Sequence, residues 1–348
     1  VTDATGSISF TVDYSEIMDQ GINPTITFPT ENPGTTLNSS SSNWNSATQY
    51  EAVYSVNDNN LDLRDVDVKV EGAENTSNVV QTQETNADAF DIDMDNPEVS
   101  SITKSTSIIT DGTANFSITV VFDQDAQSGG VAPTFTYPTG GEDPMANTLN
   151  DNGGSWTAAD TYQKNYTVND AGEEIQDIDV RVKDAEDANG NVMVQKNEAD
   201  FFSIDTKNPA VTSITPNLDP ITDANQGNGN FTITVIYDEA MTNDGSADPD
   251  VTFPTENPSS TLTEASKSWN STTEFVATYN VADNDQNLAN IDIEVNNGQD
   301  VAGNTQATGS NADAFSIDMD NPQVTNVTAD TDPITDADDG GSLTLTFT

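Results

Sequence analysis

Three short acidic segments recur along the chain, and their residue types are those that bind metal ions. They read Asp93-Met94-Asp95-Asn96-Pro97, Asp205-Thr206-Lys207-Asn208-Pro209 and Asp318-Met319-Asp320-Asn321-Pro322. In an extended segment, side chains two residues apart point the same way, so an Asp and the second residue after it can share one ion. Calcium accepts about six to eight oxygen ligands from carboxylates, amides and carbonyls. The spacing therefore predicts calcium ligands at Asp93, Asp95, Asn96, Asp205, Asn208, Asp318, Asp320 and Asn321.

One such segment supplies only about three ligands, so loops of the flanking modules must supply the rest. If each module is a β-sandwich, loops at its exit end and loops at the entry end of the next module face the segment. The candidates at the exit end are Asp111, Asp170, Asp223 and Asp283. The candidates at the entry end are Asp123, Asp125, Asp187, Asn189, Asp238, Glu239, Asp300 and Asn304. Converging carboxylates repel one another and favour a bound cation. The alternative interpretation is that these are solvated acidic loops of a very acidic protein.

Two departures from the pattern affect this prediction. Lys207 replaces the second Asp in the middle segment and brings a positive charge into the ligand row, so we expect a weaker site there. The loop 187–191 (Asp-Ala-Asn-Gly-Asn) resembles part of an EF-hand, but no helices flank the loop, as they do in an EF-hand. An EF-hand is therefore excluded, while a local calcium loop stays open. The first module has residues 71–75 (Glu-Gly-Ala-Glu-Asn) at this place, which makes a site there doubtful.

The composition excludes several classes of function. With 9 Lys+Arg and 59 Asp+Glu, the formal charge of −50 argues against binding of nucleic acid or anionic membranes. The chain has no His and no Cys, so the commonest general bases, thiol nucleophiles and zinc ligands are missing, and we expect no enzymatic activity. No stretch is apolar enough to insert in a membrane. An acidic β protein without disulfides fits the surface of a bacterium or archaeon.

Aromatic residues repeat at a fixed interval. Trp44, Trp156 and Trp269 lie 112 and 113 residues apart, and Tyr54, Tyr166 and Tyr279 keep the same steps. Such a period indicates tandem modules. The predicted ranges are 1–96 (lacking its leading strand), 97–208, 209–321, and 322–348 as the first strands of a fourth module. The tryptophans are predicted to lie in the cores, against the equivalent tyrosines.

The elements that position these residues are short strands. Residues 231–237 (Phe-Thr-Ile-Thr-Val-Ile-Tyr) alternate apolar and polar side chains, as a half-buried strand does. Roughly seven such strands with frequent turn signals fill each period, and no segment has helical periodicity. This pattern is typical of a Greek-key β-sandwich. The prediction is an all-β chain of tandem immunoglobulin-like Greek-key sandwiches arranged as an extended rod.

The order of the recurring phrases is similar to a known family. The phrases [IV]-T-D, F-x-I-T-V-x-[FY]-D-[EQ]-A, T-F-P, S-W, I-D-[VI]-x-V, D-x-A-G-N and A-D-x-F-x-I-D-x-x-N-P recur along the chain, with local departures. Together they resemble bacterial immunoglobulin-like repeats of giant cell-surface adhesins and surface-layer proteins. The resemblance implies an extracellular structural or adhesive role, often with calcium within or between modules.

Three functional hypotheses follow. The first is a calcium-stiffened extender of a cell-surface adhesin, in which each module contacts its neighbours in the same chain. The second is a surface-layer or filament subunit with lateral contacts to other copies, and the third is a module that binds glycan or another surface. Residues 334–348 duplicate the role of residues 1–14. This favours a window of a longer periodic polypeptide over a head-to-tail exchange, in which the C-terminal segment of one chain completes the first module of another.

Overall fold

The computed structural model describes residues 1–138, 143–330 and 332–348, which form β-strands, loops and two short 3₁₀ turns. The chain divides into two compact units, Val1–Thr206 and Lys207–Thr348, and each is described by itself. In the described ranges, no helix is long and apolar enough to cross a membrane.

Module 1, at the start of the first unit, consists of two antiparallel sheets of three strands each. Their orders are β1-β4-β3 and β2-β5-β6. The strands are β1 (Ser7–Asp13), β2 (Thr25–Thr27), β3 (Leu37–Ser46), β4 (Gln49–Val56), β5 (Asp62–Glu71) and β6 (Glu84–Asp93). One edge of β1 pairs with β4, and no strand of the described chain pairs with its other edge.

Module 2, also in the first unit, has two four-stranded sheets with the orders β7-β9-β12-β11 and β8-β14-β13-β10. The strands are β7 (Val99–Lys104), β8 (Ile108–Ile109), β9 (Asn115–Phe122), β10 (Thr134–Thr136), β11 (Leu149–Ala158), β12 (Thr161–Val168), β13 (Glu174–Lys183) and β14 (Lys196–Asp205). The short β8 runs parallel to β14, and the other pairs are antiparallel.

Module 3, in the second unit, repeats this arrangement as β15-β17-β20-β19 and β16-β22-β21-β18. Its strands are β15 (Val211–Pro216), β16 (Ile221–Thr222), β17 (Gly227–Tyr237), β18 (Asp250–Thr252), β19 (Leu262–Trp269), β20 (Glu274–Val281), β21 (Asn287–Asn296) and β22 (Gly309–Asp318). The order matches the two sheets of the immunoglobulin fold, A-B-E-D and C-F-G, with the first strand split between both sheets. The prediction of an all-β fold of immunoglobulin-like sandwiches is confirmed.

Residues after module 3 form a two-stranded antiparallel hairpin of β23 (Val327–Ala329) and β24 (Leu345–Phe347). A 3₁₀ turn at Asp336–Asp338 lies between these strands, and another at Asp223–Asn225 follows β16. All residues of both hairpin strands are exposed. In register, β23 and β24 correspond to β15 and β17, because Val327 faces Phe347 as Ile214 faces Val235.

The cores of modules 2 and 3 come from the alternation seen in the sequence. In β9, Phe116, Ile118 and Val120 are fully buried and pack in one cluster with residues of the opposite sheet such as Val180. Phe231, Ile233 and Val235 occupy the same places in β17. Burying an aliphatic or phenyl side chain in this way stabilises the fold by roughly 1.5–3 kcal/mol.

The tyrosine partners predicted for the tryptophans were wrong. Each tryptophan is only half-buried and contacts the residue paired with it on the neighbouring strand. These pairs are Trp44 with Tyr50, Trp156 with Tyr162 and Trp269 with Phe275, at ring-centroid distances of 5.2–5.3 Å. Each tryptophan lies near the C-terminal end of an edge strand (β3, β11 or β19), at the margin of the core. The tyrosines predicted as partners pack instead against phenylalanines, as Tyr166 does against Phe116.

Candidate metal centre at the first module boundary

The linker between modules 1 and 2 is tied to a loop of module 2. Asp93 is the last residue of β6, and its carboxylate accepts hydrogen bonds from the side-chain amides of Asn189 (2.6 Å) and Asn191 (3.2 Å). Both asparagines lie in the loop between β13 and β14. The side chain of Gln124, which follows β9, also donates to the backbone carbonyl of Asp95 at 2.8 Å. Two loops of module 2 therefore form hydrogen bonds with the linker residues Asp93 and Asp95.

The asparagine loop is held in place by one buried carboxylate. Asp187 is 6% exposed, and its Oδ1 accepts from the backbone amides of Asn189 (2.9 Å) and Asn191 (3.0 Å). Its Oδ2 accepts from the side chain of Asn191 at 2.9 Å. Asn191 itself is fully buried, and its Oδ1 accepts from the backbone amide of Asp3 at 3.2 Å. This loop thus links module 1, the linker and module 2 through hydrogen bonds.

The boundary concentrates negative charge. Burial raises the pKa of Asp3, and the carboxylates of Asp58, Asp187 and Asp93 raise it further. Burial likewise raises the pKa of Asp95, with added repulsion from Asp123, Asp62, Asp93 and Asp187. A raised carboxyl pKa means that the ionised form is disfavoured where it stands.

Little positive charge offsets these carboxylates. Among the described residues, the ion pairs with this group involve Arg64, whose nitrogens lie 3.9 Å from Asp62 and 4.0 Å from Asp93. The Arg64 side chain is 69% exposed, and such ion pairs contribute little to stability. A bound cation would provide the neutralisation that the side chains do not.

Two buried oxygens at the boundary could serve as ligands of a metal ion. Oδ1 of Asp3 and Oδ1 of Asn96 are buried and have no hydrogen-bond partner among the described residues. A buried polar atom without a partner costs roughly 1–3 kcal/mol. Carboxylate and amide oxygens are hard ligands of the type that calcium prefers. These donors therefore have the chemistry of calcium ligands.

Lys207 has a different role in the second unit from that of Asp95 in the first. Its ammonium group pairs with Asp238 at 3.1 Å and with Glu239 at 3.2 Å. The hydrogen bond to Asp238 is the main cause that raises the pKa of Lys207. Burial alone would raise the pKa of Asp238, but hydrogen bonds from the Ala210 backbone and from Lys207 outweigh burial and lower it. In the second unit, the ammonium group of Lys207 therefore offsets part of the negative charge of the loop that contains Asp238 and Glu239.

The second asparagine loop reproduces the first. Oδ1 of buried Asp300 accepts from the backbone amides of Gly303 (2.6 Å) and Asn304 (2.9 Å), and its Oδ2 accepts from the Asn304 side chain at 2.9 Å. The side chain of Asn304 also reaches the carbonyl of Lys207 at 3.4 Å. Asn208 donates to the carbonyl of Thr305 at 3.0 Å. The Asp187–Asn191 and Asp300–Asn304 hydrogen bonds are thus alike, although the linker has Asp95 in one case and Lys207 in the other.

The structure brings together part of the predicted ligand set. Five of the predicted residues gather at the first boundary, linked by hydrogen bonds or electrostatic repulsion: Asp93, Asp95, Asp123, Asp187 and Asn189. Asn96 contributes the buried amide oxygen noted above. Asp125 instead accepts a hydrogen bond from the backbone amide of Ser128 in its own loop.

Other predicted ligands lie in turns and at strand ends. Asp170 and Asp283 each accept a hydrogen bond from a backbone amide two residues later in the chain. Asp111 follows β8, Asp223 begins a 3₁₀ turn, and Asp205 ends β14. Asp318, Asp320 and Asn321 are exposed.

Sequence reasoning missed four residues of the first boundary: Asp3, Asp58, Asp62 and Asn191. The repeat contained the signal for two of them. Asp3 is the first-module copy of Asp111 and Asp223, and Asp58 is the copy of Asp170 and Asp283. Applying the repeat to the first module would have added both residues to the prediction.

Comparisons with known proteins give weak likenesses only. No family model matches the chain, and no curated protein matches it. Among solved structures, cadherin-like domains 1 to 4 of zebrafish RET align over 86% of this chain and 65% of that one, at 8% identity and a TM-score of 0.24. The N-terminal Ig1-2 module of the Drosophila receptor protein tyrosine phosphatase DLAR aligns over 64% and 98%, at 12% identity and a TM-score of 0.21. The endo-fucoidan hydrolase MfFcnA4 aligns over 90% and 42%, at 11% identity and a TM-score of 0.20.

Proposed function

We propose that the chain is a structural segment of an extracellular cell-surface protein, an extender whose immunoglobulin-like modules are stiffened by calcium. The observation that carries the proposal is the first boundary, where carboxylates from module 1, the linker and module 2 meet. Two buried oxygens there are unpartnered. One calcium ion bound by both modules would offset part of the negative charge and fix the angle between them.

The residues that would hold the ion are Asp3, Asp93, Asp95, Asn96 and Asp187. Calcium would supply the positive charge that offsets these carboxylates. Extracellular modules bind calcium with dissociation constants of about 10⁻⁴–10⁻³ M. An ion that binds only the folded state adds about 2.7 kcal/mol at a hundredfold excess over the dissociation constant. Calcium at concentrations above the dissociation constant would therefore stabilise the folded chain.

The surface of the modules supports an extender over a glycan-binding module. A sugar-binding face needs exposed aromatic rings. Among the described residues, the only large aromatic side chain that is highly exposed is Phe347, in the hairpin after module 3. The other large exposed hydrophobic residues are aliphatic. An extender needs only end-to-end contacts and tolerates polar faces.

Calcium removal tests the proposal. We expect chelation to lower the melting temperature and to broaden the distribution of inter-module angles in small-angle scattering, because the shared ligands would repel one another. The variant Asp93→Asn/Asp95→Asn should show a much smaller response to chelator. If chelator alters neither the melting curve nor the scattering profile of the unmodified chain, the stiffening mechanism is wrong.

A matched control separates the site from the total charge. Glu84→Gln/Glu264→Gln also removes two negative charges, but from exposed positions on β6 and β19 that are not part of the ligand set. We expect this variant to respond to chelator as the unmodified chain does. If the control variant loses its response to chelator to the same extent, the response depends on net charge and not on the proposed site.

A further inference from the structure

Gly129, in the loop between β9 and β10, lies against the backbone of the asparagine loop of module 2 (residues 186–191). A methyl group on its Cα would lie 2.1 Å from the carbonyl oxygen of Asp187 and 2.2 Å from that of Glu186. Real Cβ atoms essentially never come within 3.0 Å of another heavy atom. Because both neighbours are backbone atoms, no side-chain rotation can relieve this overlap. Glycine is therefore required for the two loops to touch.

The requirement is for space and not for backbone freedom. Gly129 does not have a positive φ angle, whereas the next residue, Gly130, has a φ angle of 73°. Alanine could therefore adopt the φ angle of Gly129, and only the contact excludes its methyl group. A Cβ on Gly130 would meet no atom within 4 Å. These two adjacent glycines thus separate the effect of the contact from that of backbone strain.

The two loops that meet at this contact both bind the linker. In the β9–β10 loop (residues 123–133), the side chain of Gln124 donates to the backbone carbonyl of Asp95 at 2.8 Å. The asparagine loop reaches the carboxylate of Asp93 through two side-chain amides. Each loop also contributes a carboxylate near Asp95, namely Asp123 and Asp187. The spacing of the two loops therefore determines the spacing of these groups.

Modules 1 and 3 join the corresponding loops by hydrogen bonds. The backbone amide of Asp19 donates to the carbonyl of Glu74 at 2.8 Å. That of Thr242 donates to the carbonyl of Gln299, also at 2.8 Å. Glu186 has the repeat position of Glu74 and Gln299. Within the described part of module 2, no backbone hydrogen bond joins the two loops, and the carbonyl of Glu186 faces the glycine instead.

Each loop is also held on its far side. The backbone amide of Gln127 donates to the carbonyl of Ala159, between β11 and β12, at 2.9 Å, and Ala126 is fully buried. The asparagine loop is fixed by backbone amides that donate to the carboxylate of Asp187. A methyl group at position 129 would have to separate the two anchored loops by roughly 1 Å to reach an allowed distance. Binding sites tolerate shifts of only about 0.5 Å in their ligands.

We propose that Gly129 is a positioning residue of the calcium site at the first boundary. Its missing side chain lets the β9–β10 loop, which holds Asp95, touch the asparagine loop, which carries Asp187. The inference rests on the proposed function, because it concerns the ion bound there. Calcium is bound at about 2.3–2.6 Å from each oxygen, so a site widened by roughly 1 Å would lose ligands.

Calcium titration by calorimetry tests the proposal on the 348-residue chain. The component that Asp93→Asn/Asp95→Asn abolishes belongs to the first boundary. We expect Gly129→Ala to weaken this component by about 10–100-fold, the usual effect of losing a residue that orients metal ligands. Gly130→Ala strains the same loop at a positive φ angle but leaves the contact intact, so it should bind calcium as the unmodified chain does.

The titration separates this inference from the proposed function. If the unmodified chain binds no calcium, the proposed function is wrong, and the inference is wrong with it. If the unmodified chain and Gly129→Ala bind calcium equally, only the role of Gly129 is wrong. A merely structural role would lower the melting temperature of Gly129→Ala in calcium-free buffer without changing its dissociation constant. Equal weakening in Gly130→Ala would assign the effect to strain in the loop and would also overturn the proposal.

Hydrogen exchange of the unmodified chain tests the same contact without a substitution, and it decides the matter if Gly129→Ala does not fold. Calcium should slow exchange of the backbone amides of Asn189 and Asn191, whose loop would carry a ligand. It should also slow exchange of the amide of Gly130, which donates to the carbonyl of Gln127 at 3.0 Å, because the contact fixes one loop against the other. Slower exchange in the asparagine loop alone would show that the β9–β10 loop does not support the site, and it would overturn the proposal.

Discussion

Individual acidic residues of this chain have distinct structural roles. Asp67 in β5 accepts a hydrogen bond from the backbone amide of Asp88 at 2.9 Å. Asp292 in β21 accepts from that of Asp313 at 2.8 Å, and module 2 has the same bond between Asp179 and Asp200. The three donor residues have positive φ angles of 51–52° at irregular positions of the strand pairs. The recurring phrase I-D-[VI]-x-V therefore reflects a β-bulge that an Asp stabilises.

We expect Asp292→Ala to lower the free energy of unfolding by about 1 kcal/mol, because the amide of Asp313 loses its acceptor. Asp292→Asn keeps a side-chain oxygen and should lose less. Urea unfolding measures both variants. An Asn variant as unstable as the Ala variant would show that the charge matters more than the hydrogen bond.

The carboxylates of the first boundary predict an unusual pH dependence. Asp3 and Asp95 have raised pKa values in the folded state, so the folded protein binds protons more tightly than the unfolded chain does. Their destabilising contribution is fully present above the raised values, and it disappears as the pH falls through them towards 3.8. In calcium-free buffer, Asp3→Asn/Asp95→Asn should therefore melt higher than the unmodified chain at pH 7.

This advantage should shrink as the pH approaches about 4, since the two carboxyls of the unmodified chain then become neutral. Melting curves of both proteins at several pH values measure it. An advantage that stays constant with pH would assign the effect to side-chain packing and not to charge.

At the scale of elements, a linker residue determines how each acidic loop is neutralised. Lys207 pairs with Asp238 and Glu239 in the second unit, whereas Asp95 adds to the repulsion at the first boundary. Lys207→Asp should therefore lower the melting temperature in calcium-free buffer, and calcium should restore it more than it stabilises the unmodified chain. Calorimetry with and without calcium measures this difference.

Lys267→Asp is the matched control for this variant. Lys267 pairs with Asp250 at 3.2 Å, so the charge change is the same but lies outside the linker and its ion pairs. Its loss should not increase the response to calcium. An equal response of both variants would mean that net charge, not the linker position, controls calcium dependence.

The elements also mark the limit of sequence prediction. The strands with strict alternation, such as β9 and β17, were predictable because their buried faces are continuous. The tryptophan contacts were not, because the sequence does not reveal that β11 and β19 are edge strands. The recurrence of acidic residues in the linkers is visible in the sequence, but the hydrogen bond from Asn191 to the carboxylate of Asp187 depends on the fold of a loop.

The whole molecule is dominated by its charge of −50, which destabilises the compact state through self-repulsion. Monovalent salt and calcium both oppose this repulsion, but by different physical means. Screening depends on ionic strength and acts everywhere, with a Debye length that falls from about 30 Å at 0.01 M to about 3 Å at 1 M. Binding at the first boundary would require a few oxygens in fixed positions and would saturate.

We therefore expect NaCl to raise the melting temperature of the calcium-free chain until screening is nearly complete, at roughly 0.5 M. Calcium at about 1 mM, which hardly changes that ionic strength, should raise it further, because extracellular sites bind in this range. Magnesium at equal concentration should do less, since it dehydrates reluctantly and requires strict octahedral geometry. Differential scanning calorimetry compares the three conditions. If calcium adds nothing in about 0.5 M NaCl, its effect at low salt is screening alone, and the boundary carboxylates hold no specific ion.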